Sequence, residues 1–127
     1  MPSQTDERPP VAIGHVRINV NSLDPSCDLL QELGLREITR REGFAVMELR
    51  GGTHLIVSRT DEAIAPDTPA PIDLMVDDVH ATRADYEARG FDPSEITSGS
   101  VHSSFTIPFP DGYRLKITSS HAGDRAV

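Results

Sequence analysis

Residues 72–91, with the sequence IDLMVDDVHATRADYEARGF, repeat the pattern of residues 14–35, GHVRINVNSLDPSCDLLQELGL. Each stretch begins with an alternating apolar run and continues with polar or acidic residues, then with apolar residues at helical spacing up to a glycine. This order is typical of a strand followed by a helix. Matching positions stand 56 residues apart, namely Val20 and Val76, Leu23 and Val79, Gly34 and Gly90, and Leu35 and Phe91. The sequence therefore predicts an internal duplication.

Each predicted helix is followed by three short segments with strand patterns, so each copy has the order βαβββ. The predicted segments are a first strand up to Val20, a helix from Asp24 to Gly34 and strands at 35–41, 44–50 and 53–59, then a strand at 71–76, a helix at 78–89 and strands at 92–97, 101–107 and 113–118. One helix covers only one face of a four-stranded sheet. We therefore predict an α+β fold in which two βαβββ modules pair and curl their sheets into an open, barrel-like cleft.

The chain has the length of one domain, which we place at 11–120. Its modules are predicted at 11–59 and 71–118, with a linker at 60–70 that contains two prolines and three acidic residues. The polar residues 1–10 end in two prolines and are predicted to form a disordered tail, and residues 121–127 a C-terminal tail.

The charge balance excludes several classes of partner. Twelve Lys and Arg against twenty Asp and Glu give a net charge of −8 in 127 residues. This balance argues against a nucleic-acid surface and favours attraction of a cationic ligand. A single cysteine, Cys27, permits no internal disulfide. With no apolar run of roughly 18 residues and no signal pattern, we expect a cytoplasmic protein without a membrane partner.

Two further stretches complete a family pattern, GGTHLIV at 51–57 and FPDGYRLKI at 109–117. Together with the two repeats, they resemble the glyoxalase, bleomycin-resistance and extradiol-dioxygenase superfamily, also called the vicinal oxygen chelate superfamily. The resemblance extends from about Ile13 to Thr118. It implies paired βαβββ modules, frequent homodimers, and a cleft that holds a divalent metal in the enzymes.

The resemblance also implies metal ligands on the first, fourth, fifth and eighth strands, and only the first is clearly present, as His15. The fourth-strand position falls on Ile56, or on His54 if the register shifts by two, while the other two fall on Pro71 and Lys116. An ammonium at neutral pH offers no lone pair to a metal. We therefore expect a degenerate metal site and no bound cofactor.

Strand alternation places several polar side chains on the inner face of the cleft. The predicted ligand-binding residues are His15, Arg17, Asn19, His54, Asp73, His102, Arg114 and Lys116. Because buried charges must be paired, we expect a salt bridge between Asp73 and Lys116. Arg17 and Arg114 either bind an anionic ligand or pair with Asp73 and Glu48. For His102, a place on the surface is as well supported as one on the inner face.

Two classes of function fit these residues, and the sequence does not single out catalytic residues. The first is a binding protein for a small organic molecule, as in the antibiotic-sequestering branch of the superfamily. With no Trp and two Tyr, a large planar drug is a poor ligand. The second is a metal-dependent lyase, isomerase or dioxygenase with a rearranged divalent-metal site made of His15, His54 and either Asp73 or Glu48. Metal-free acid–base chemistry by His15 or His102, with Arg17 fixing an anion, is a third interpretation.

Overall fold

The computed structural model describes residues 6–127, so half of the predicted tail at 1–10 lies outside the described residues. Residues 6–14 form neither helix nor strand. The first module comprises β1 (His15–Val20), α1 (Leu23–Glu32), β2 (Arg36–Arg41), β3 (Phe44–Glu48) and β4 (His54–Arg59). The second comprises β5 (Thr68–Val76), α2 (Val79–Ala88), β6 (Thr97–Ser98), β7 (Ser103–Pro108) and β8 (Tyr113–Ser119).

The predicted duplication and the α+β class are confirmed. The strand orders β1-β4-β3-β2 and β5-β8-β7-β6 are equivalent, and neither sheet closes on itself. The helices α1 and α2 have ten residues each. Each is followed by a glycine with positive φ, Gly34 at 112° and Gly90 at 81°, a conformation that ends a helix at little cost only for glycine. Within residues 6–127, neither helix is long and apolar enough to cross a membrane.

Each helix covers one face of its own sheet, and the core lies between them. The buried residues of the first module include Ile18, Val20, Leu55 and Val57 from the strands and Cys27 and Leu30 from α1. Those of the second include Phe105, Ile107, Leu115 and Ile117 from the strands and Val79 and Tyr86 from α2. Because successive strand residues point to opposite faces, the residues between these core positions form the other face of each sheet.

The two modules contact each other within one chain, through the turns that precede β4 and β8. The Asp111 carboxylate accepts hydrogen bonds from the backbone N–H groups of Asn21 and Ser22, both at 2.8 Å, and from the Ser22 hydroxyl at 2.7 Å. In the reciprocal contact, Arg50 donates to Asp77 at 3.0 Å. The module pairing is therefore asymmetric, with a half-buried contact on one side and an exposed ion pair on the other.

The largest errors in the predicted strand boundaries concern β5 and β6. Strand β5 begins at Thr68, inside the predicted linker, and pairs there with Tyr113 of β8. Its prolines are tolerated because β5 is an edge strand, where a missing N–H disrupts little. Strand β6 covers only 97–98 instead of 92–97, because Asp92 has a φ of 56° and a proline follows it.

Candidate functional site

The face of the first sheet opposite α1 carries the polar residues of β1. His15, Arg17 and Asn19 are exposed, whereas the intervening Ile18 and Val20 are buried under the helix. This alternation is what the sequence predicts. We call this surface the first inner face, and the corresponding surface of the other sheet the second inner face.

The strand register settles which fourth-strand residue lies beside His15. Strands β1 and β4 run parallel, with His15 opposite His54, Arg17 opposite Ile56 and Asn19 opposite Ser58 in the Cα pairing. His54, and not Ile56, is therefore the neighbour of His15. Their ring centroids are 6.0 Å apart with the planes at 80°.

An open hollow of about 680 Å³ lies on the first inner face. Its lining residues are His15, Val16, Arg17, Phe44, Ile56 and Ser58. The Arg17 guanidinium is held at the hollow because its Nη1 donates to Ser58 Oγ at 2.8 Å. Phe44 keeps 39% of its surface exposed there, and Ile56 adds a second apolar side chain. The hollow thus combines one cation, one imidazole, one hydroxyl and an apolar wall.

A row of polar side chains crosses the first inner face beside the hollow. Arg36 Nη1 lies 2.9 Å from Glu48 Oε1, and His54 Nε2 lies 3.2 Å from Glu48 Oε2. Glu48 is therefore occupied by Arg36 and His54 and does not pair with Arg17. The carboxylate orients His54 by holding one of its two ring nitrogens.

The second inner face differs from its prediction. Asp73 lies opposite Lys116 across β5 and β8, but no ion pair within 4.0 Å joins the two side chains in the described part of the chain. The predicted salt bridge is wrong, because both side chains are exposed and an exposed pair gains little over hydration. Arg114 donates instead to Thr106 Oγ1, at 2.6 Å from Nη2, and does not pair with Asp73.

His102 is not on a strand. It precedes β7, in a turn where Gly99 N–H donates to the His102 carbonyl at 2.9 Å, and this turn delays the start of the strand. Its ring lies 4.6 Å, centroid to centroid, from that of His121 in the C-terminal segment. Its Nδ1 is buried and has no hydrogen-bond partner among residues 6–127. His102 does not line the hollow of the first inner face, and its role in ligand binding stays a prediction.

Sequence reasoning missed Phe44 as a lining residue. The strand at 44–50 was predicted, and it could have identified the face on which Phe44 lies. Because Ala45 and Met47 are buried, alternation places Phe44 and Glu48 on the opposite face. Their proximity to β1 depends on the position of β3 in the sheet, beside β4, which strand periodicity does not give.

The residues present do not fit the metal ligand set that the resemblance implies. Pro71 and Lys116 occupy two of the positions and offer no lone pair at neutral pH. Among the described residues, no group of three or more His, Cys, Asp or Glu side chains is arranged to hold a metal ion. The rearranged set of His15, His54 and Asp73 is therefore not assembled in the described part of the chain.

Two buried groups on the helix side of the sheets have raised pKa values. Burial raises the pKa of the Cys27 thiol, and the positive charge of Arg40 opposes this effect only in part. Burial likewise raises the pKa of the Tyr86 hydroxyl. A neutral thiol in the core is a poor nucleophile, which agrees with a packing role for Cys27.

Comparisons with known proteins establish the fold. No family model matches the sequence, and no curated protein matches it significantly. Among solved structures, a lactoylglutathione lyase from Agrobacterium tumefaciens superposes with a TM-score of 0.72 and 16% identity over 90% of this chain and 97% of that one. A glyoxalase/bleomycin resistance protein/dioxygenase from Nocardioides gives 0.68 and 18% over 97% and 91%, and the oxidase ChaP-H2 gives 0.66 and 20% over 87% and 94%.

The chain therefore has the fold of the glyoxalase, bleomycin-resistance and dioxygenase proteins, and the resemblance seen in the sequence is confirmed at the level of the fold. A lyase and an oxidase are both among these structural neighbours. Since one scaffold carries different chemistries, the function has to be argued from the hollow itself.

Proposed function

We propose that this chain binds a small organic molecule in the hollow on its first inner face, without the metal ligand set of the enzymes that share its fold. The observation that carries the proposal is the hollow itself, where an apolar wall of Phe44 and Ile56 meets the Arg17 guanidinium in about 680 Å³. A volume of this size, with apolar walls and a few polar groups, is typical of small-molecule sites. Pro71 and Lys116 at two metal positions favour binding over metal-dependent chemistry.

A metal-dependent lyase, isomerase or dioxygenase is the second candidate, and one observation favours it. His15 and His54 are neighbours, and Glu48 lies 3.2 Å from His54, so two imidazoles and a carboxylate share one end of the first inner face. Two histidines and a carboxylate are a ligand set that suits iron or zinc. For this set to act as ligands, Glu48 has to leave Arg36 and the His54 ring has to turn.

The binding proposal is tested by filling the hollow. A library of small organic molecules is screened by ligand-observed NMR against the wild type, Ile56→Trp and, as a matched control in an exposed loop of the other module, Val101→Trp. We expect ligands of the wild type to bind Ile56→Trp at least about tenfold more weakly, and Val101→Trp with unchanged affinity. Ligands that bind Ile56→Trp as well as the wild type would show that the hollow is not the site.

The choice between the two candidates is tested by metal content. Protein purified without chelators is analysed for bound metal and then titrated with zinc, nickel, manganese and ferrous iron while the melting temperature is recorded. We expect less than stoichiometric metal and no shift in melting temperature. Stoichiometric metal that is lost in His15→Ala would place the metal-dependent enzyme first. Lys116→Glu, which restores a carboxylate at the eighth-strand position, tests the assignment of that position.

The predicted homodimer is part of the proposal. Light scattering on the purified protein gives the mass in solution, with about twice the 13.9 kDa of the chain as the expected value. A monomer would show that the hollow is complete within one chain.

A further inference from the structure

We infer that the ligand of the hollow is an organic carboxylate, with Arg17 as the group that binds its anionic end. This inference rests on the proposed binding function and adds the chemical class of the ligand. It reverses the expectation from net charge, because a chain with a charge of −8 favours a cationic ligand by general attraction.

Arg17 differs from most arginines of the chain in its partner. Arg36 pairs with Glu48 and Arg59 with Asp61, at 2.9 and 2.7 Å, so the charge of each is neutralised by a carboxylate. Arg17 instead donates to the neutral hydroxyl of Ser58. Within residues 6–127, no carboxylate lies within 4.0 Å of its guanidinium.

The acidic residues of the inner faces do not neutralise Arg17. Glu48, on the same face, is bonded to Arg36 and His54. Asp73, on β5, makes no ion pair with Arg17 in the described part of the chain. Since no acidic residue lines the hollow, its local charge is positive although the chain as a whole is acidic. At physiological salt, charges more than roughly 8 Å away are screened, so the lining residues dominate the recognition of a bound group.

The guanidinium keeps one edge available for bidentate recognition. Its Nη1 donates to Ser58 Oγ, which restrains the group at the hollow, while Nε and Nη2 form no hydrogen bond within residues 6–127. Two parallel N–H groups on such an edge match the two oxygens of a carboxylate, which a single ammonium cannot do. Ser58 is therefore a positioning residue, and Arg17 is the binding residue.

The apolar wall indicates that the ligand has an organic body. Phe44, exposed over 39% of its surface, and Ile56 lie in the same hollow as Arg17. An inorganic anion at Arg17 leaves this apolar surface in water, whereas a carboxylate with a hydrocarbon or aromatic body covers it. The two features together favour a monocarboxylate over an inorganic phosphate.

The test uses matched pairs of carboxylates and their neutral amides, such as benzoate with benzamide and hexanoate with hexanamide, together with inorganic phosphate. Affinities for the full-length wild type, Arg17→Gln, Arg17→Lys and Arg59→Gln are measured by calorimetry or ligand-observed NMR. Arg59→Gln removes the same charge from the C-terminal end of β4, in the same sheet but outside the hollow. Melting temperatures show that each variant is folded.

We expect carboxylates to bind the wild type about tenfold or more tightly than their amides. Arg17→Gln removes this preference and leaves the binding of the amides within about twofold, whereas Arg59→Gln retains the preference. Arg17→Lys keeps the charge but recovers only part of the preference, because it lacks the planar fork.

Four results would overturn the inference. Amides that bind as tightly as carboxylates, or equal losses in Arg17→Gln and Arg59→Gln, would refute the role of Arg17 and leave the binding function standing. Phosphate that binds through Arg17 as tightly as the organic carboxylates would refute the claim that the ligand has an organic body. No binding of carboxylates or amides up to about 10 mM would count against the inference and the proposed function together.

Discussion

The two sheets have the same strand order, yet only the first inner face carries the hollow described above. The equivalent positions Ser58 and Thr118 show the difference. Ser58 is half-buried and holds Arg17 at the hollow, whereas Thr118 is only 2% exposed and donates to the Ser103 carbonyl. Arg114, like Arg17, has no carboxylate partner among the described residues and donates to a hydroxyl of its own sheet, but it does not line the hollow. Duplication fixed the backbone of both modules, and the side chains decide which inner face carries the hollow.

The largest loss in the free energy of unfolding is expected for a substitution at the contact that joins the two modules. Asp111→Gly removes three hydrogen bonds to the start of α1 while the glycine accepts the φ of 72°. We expect the free energy of unfolding to fall by about 2 kcal/mol, as for the loss of a strong helix cap. Arg50→Ala, at the reciprocal exposed ion pair, is expected to cost about 0–1 kcal/mol. Urea denaturation measures both, and equal losses would contradict the asymmetry of the module contact.

The buried titratable groups of the two modules are expected to affect stability in different ranges of alkaline pH. Because burial raises the pKa of Cys27 in the first module and of Tyr86 in the second, the unfolded chain releases these protons before the folded chain does. Below the ordinary pKa values, roughly 8.5 for Cys and 10 for Tyr, both groups are protonated in the folded and the unfolded chain, and the protein has its full stability. Above these values only the unfolded chain gains by releasing the protons, so stability falls as pH rises.

Cys27→Ala is expected to delay the onset of this decline by about 1.5 pH units, from the thiol range to the phenol range. Thermal unfolding between pH 7 and 11 follows the change, and Ser26→Ala serves as a control at the neighbouring buried position, which has no titratable group. An onset that does not move in Cys27→Ala would show that the thiol does not contribute.

Arg114→Gln sharpens the comparison of the two inner faces. The variant loses the bonds to Thr106, and we expect a cost of about 1 kcal/mol in the free energy of unfolding. The affinity of any carboxylate that requires Arg17 should stay within about twofold, because Arg114 does not line the hollow. A loss of affinity similar to that in Arg17→Gln would show that both inner faces belong to one site.

The smallest loss of stability is expected for a substitution in the C-terminal segment. His121→Ala removes the ring that lies 4.6 Å from His102, and we expect a loss of about 0.5–1 kcal/mol, as for other aromatic pairs. Ligand binding at the first inner face should not change. His80→Ala, on the exposed side of α2, is the matched control, and equal melting temperatures for both variants would show that the ring contact adds no stability.

Strand and helix positions were predictable where local pattern and tertiary packing agree. The repeat spacing gave both helices, because Gly34 and Gly90 end them and the apolar residues before them face a sheet. The predictions failed where backbone geometry interrupts the pattern. The positive φ of Asp92 shortens β6, and the turn before Ser103 removes His102 from β7. Single-residue conformations of this kind leave little trace in the hydrophobic periodicity.

Part of the candidate site was also predictable. His15, Arg17 and Asn19 were placed on one face by alternation, and the structure confirms that they share it. The salt bridge between Asp73 and Lys116 was wrong, because correct pairing of the strands does not make two exposed side chains meet. Phe44 was missed because its neighbours across the sheet come from strands distant in sequence.

The sequence by itself determined the duplication and the α+β class, because repeat spacing and alternation can be read from the order of the residues alone. Only the tertiary structure decided that His54 lies beside His15, that Glu48 is bonded to Arg36 and His54, and that Arg17 has Ser58 as its one partner within residues 6–127. These contacts join side chains from different strands, and they arise from strand register and packing of the whole chain and not from its local pattern.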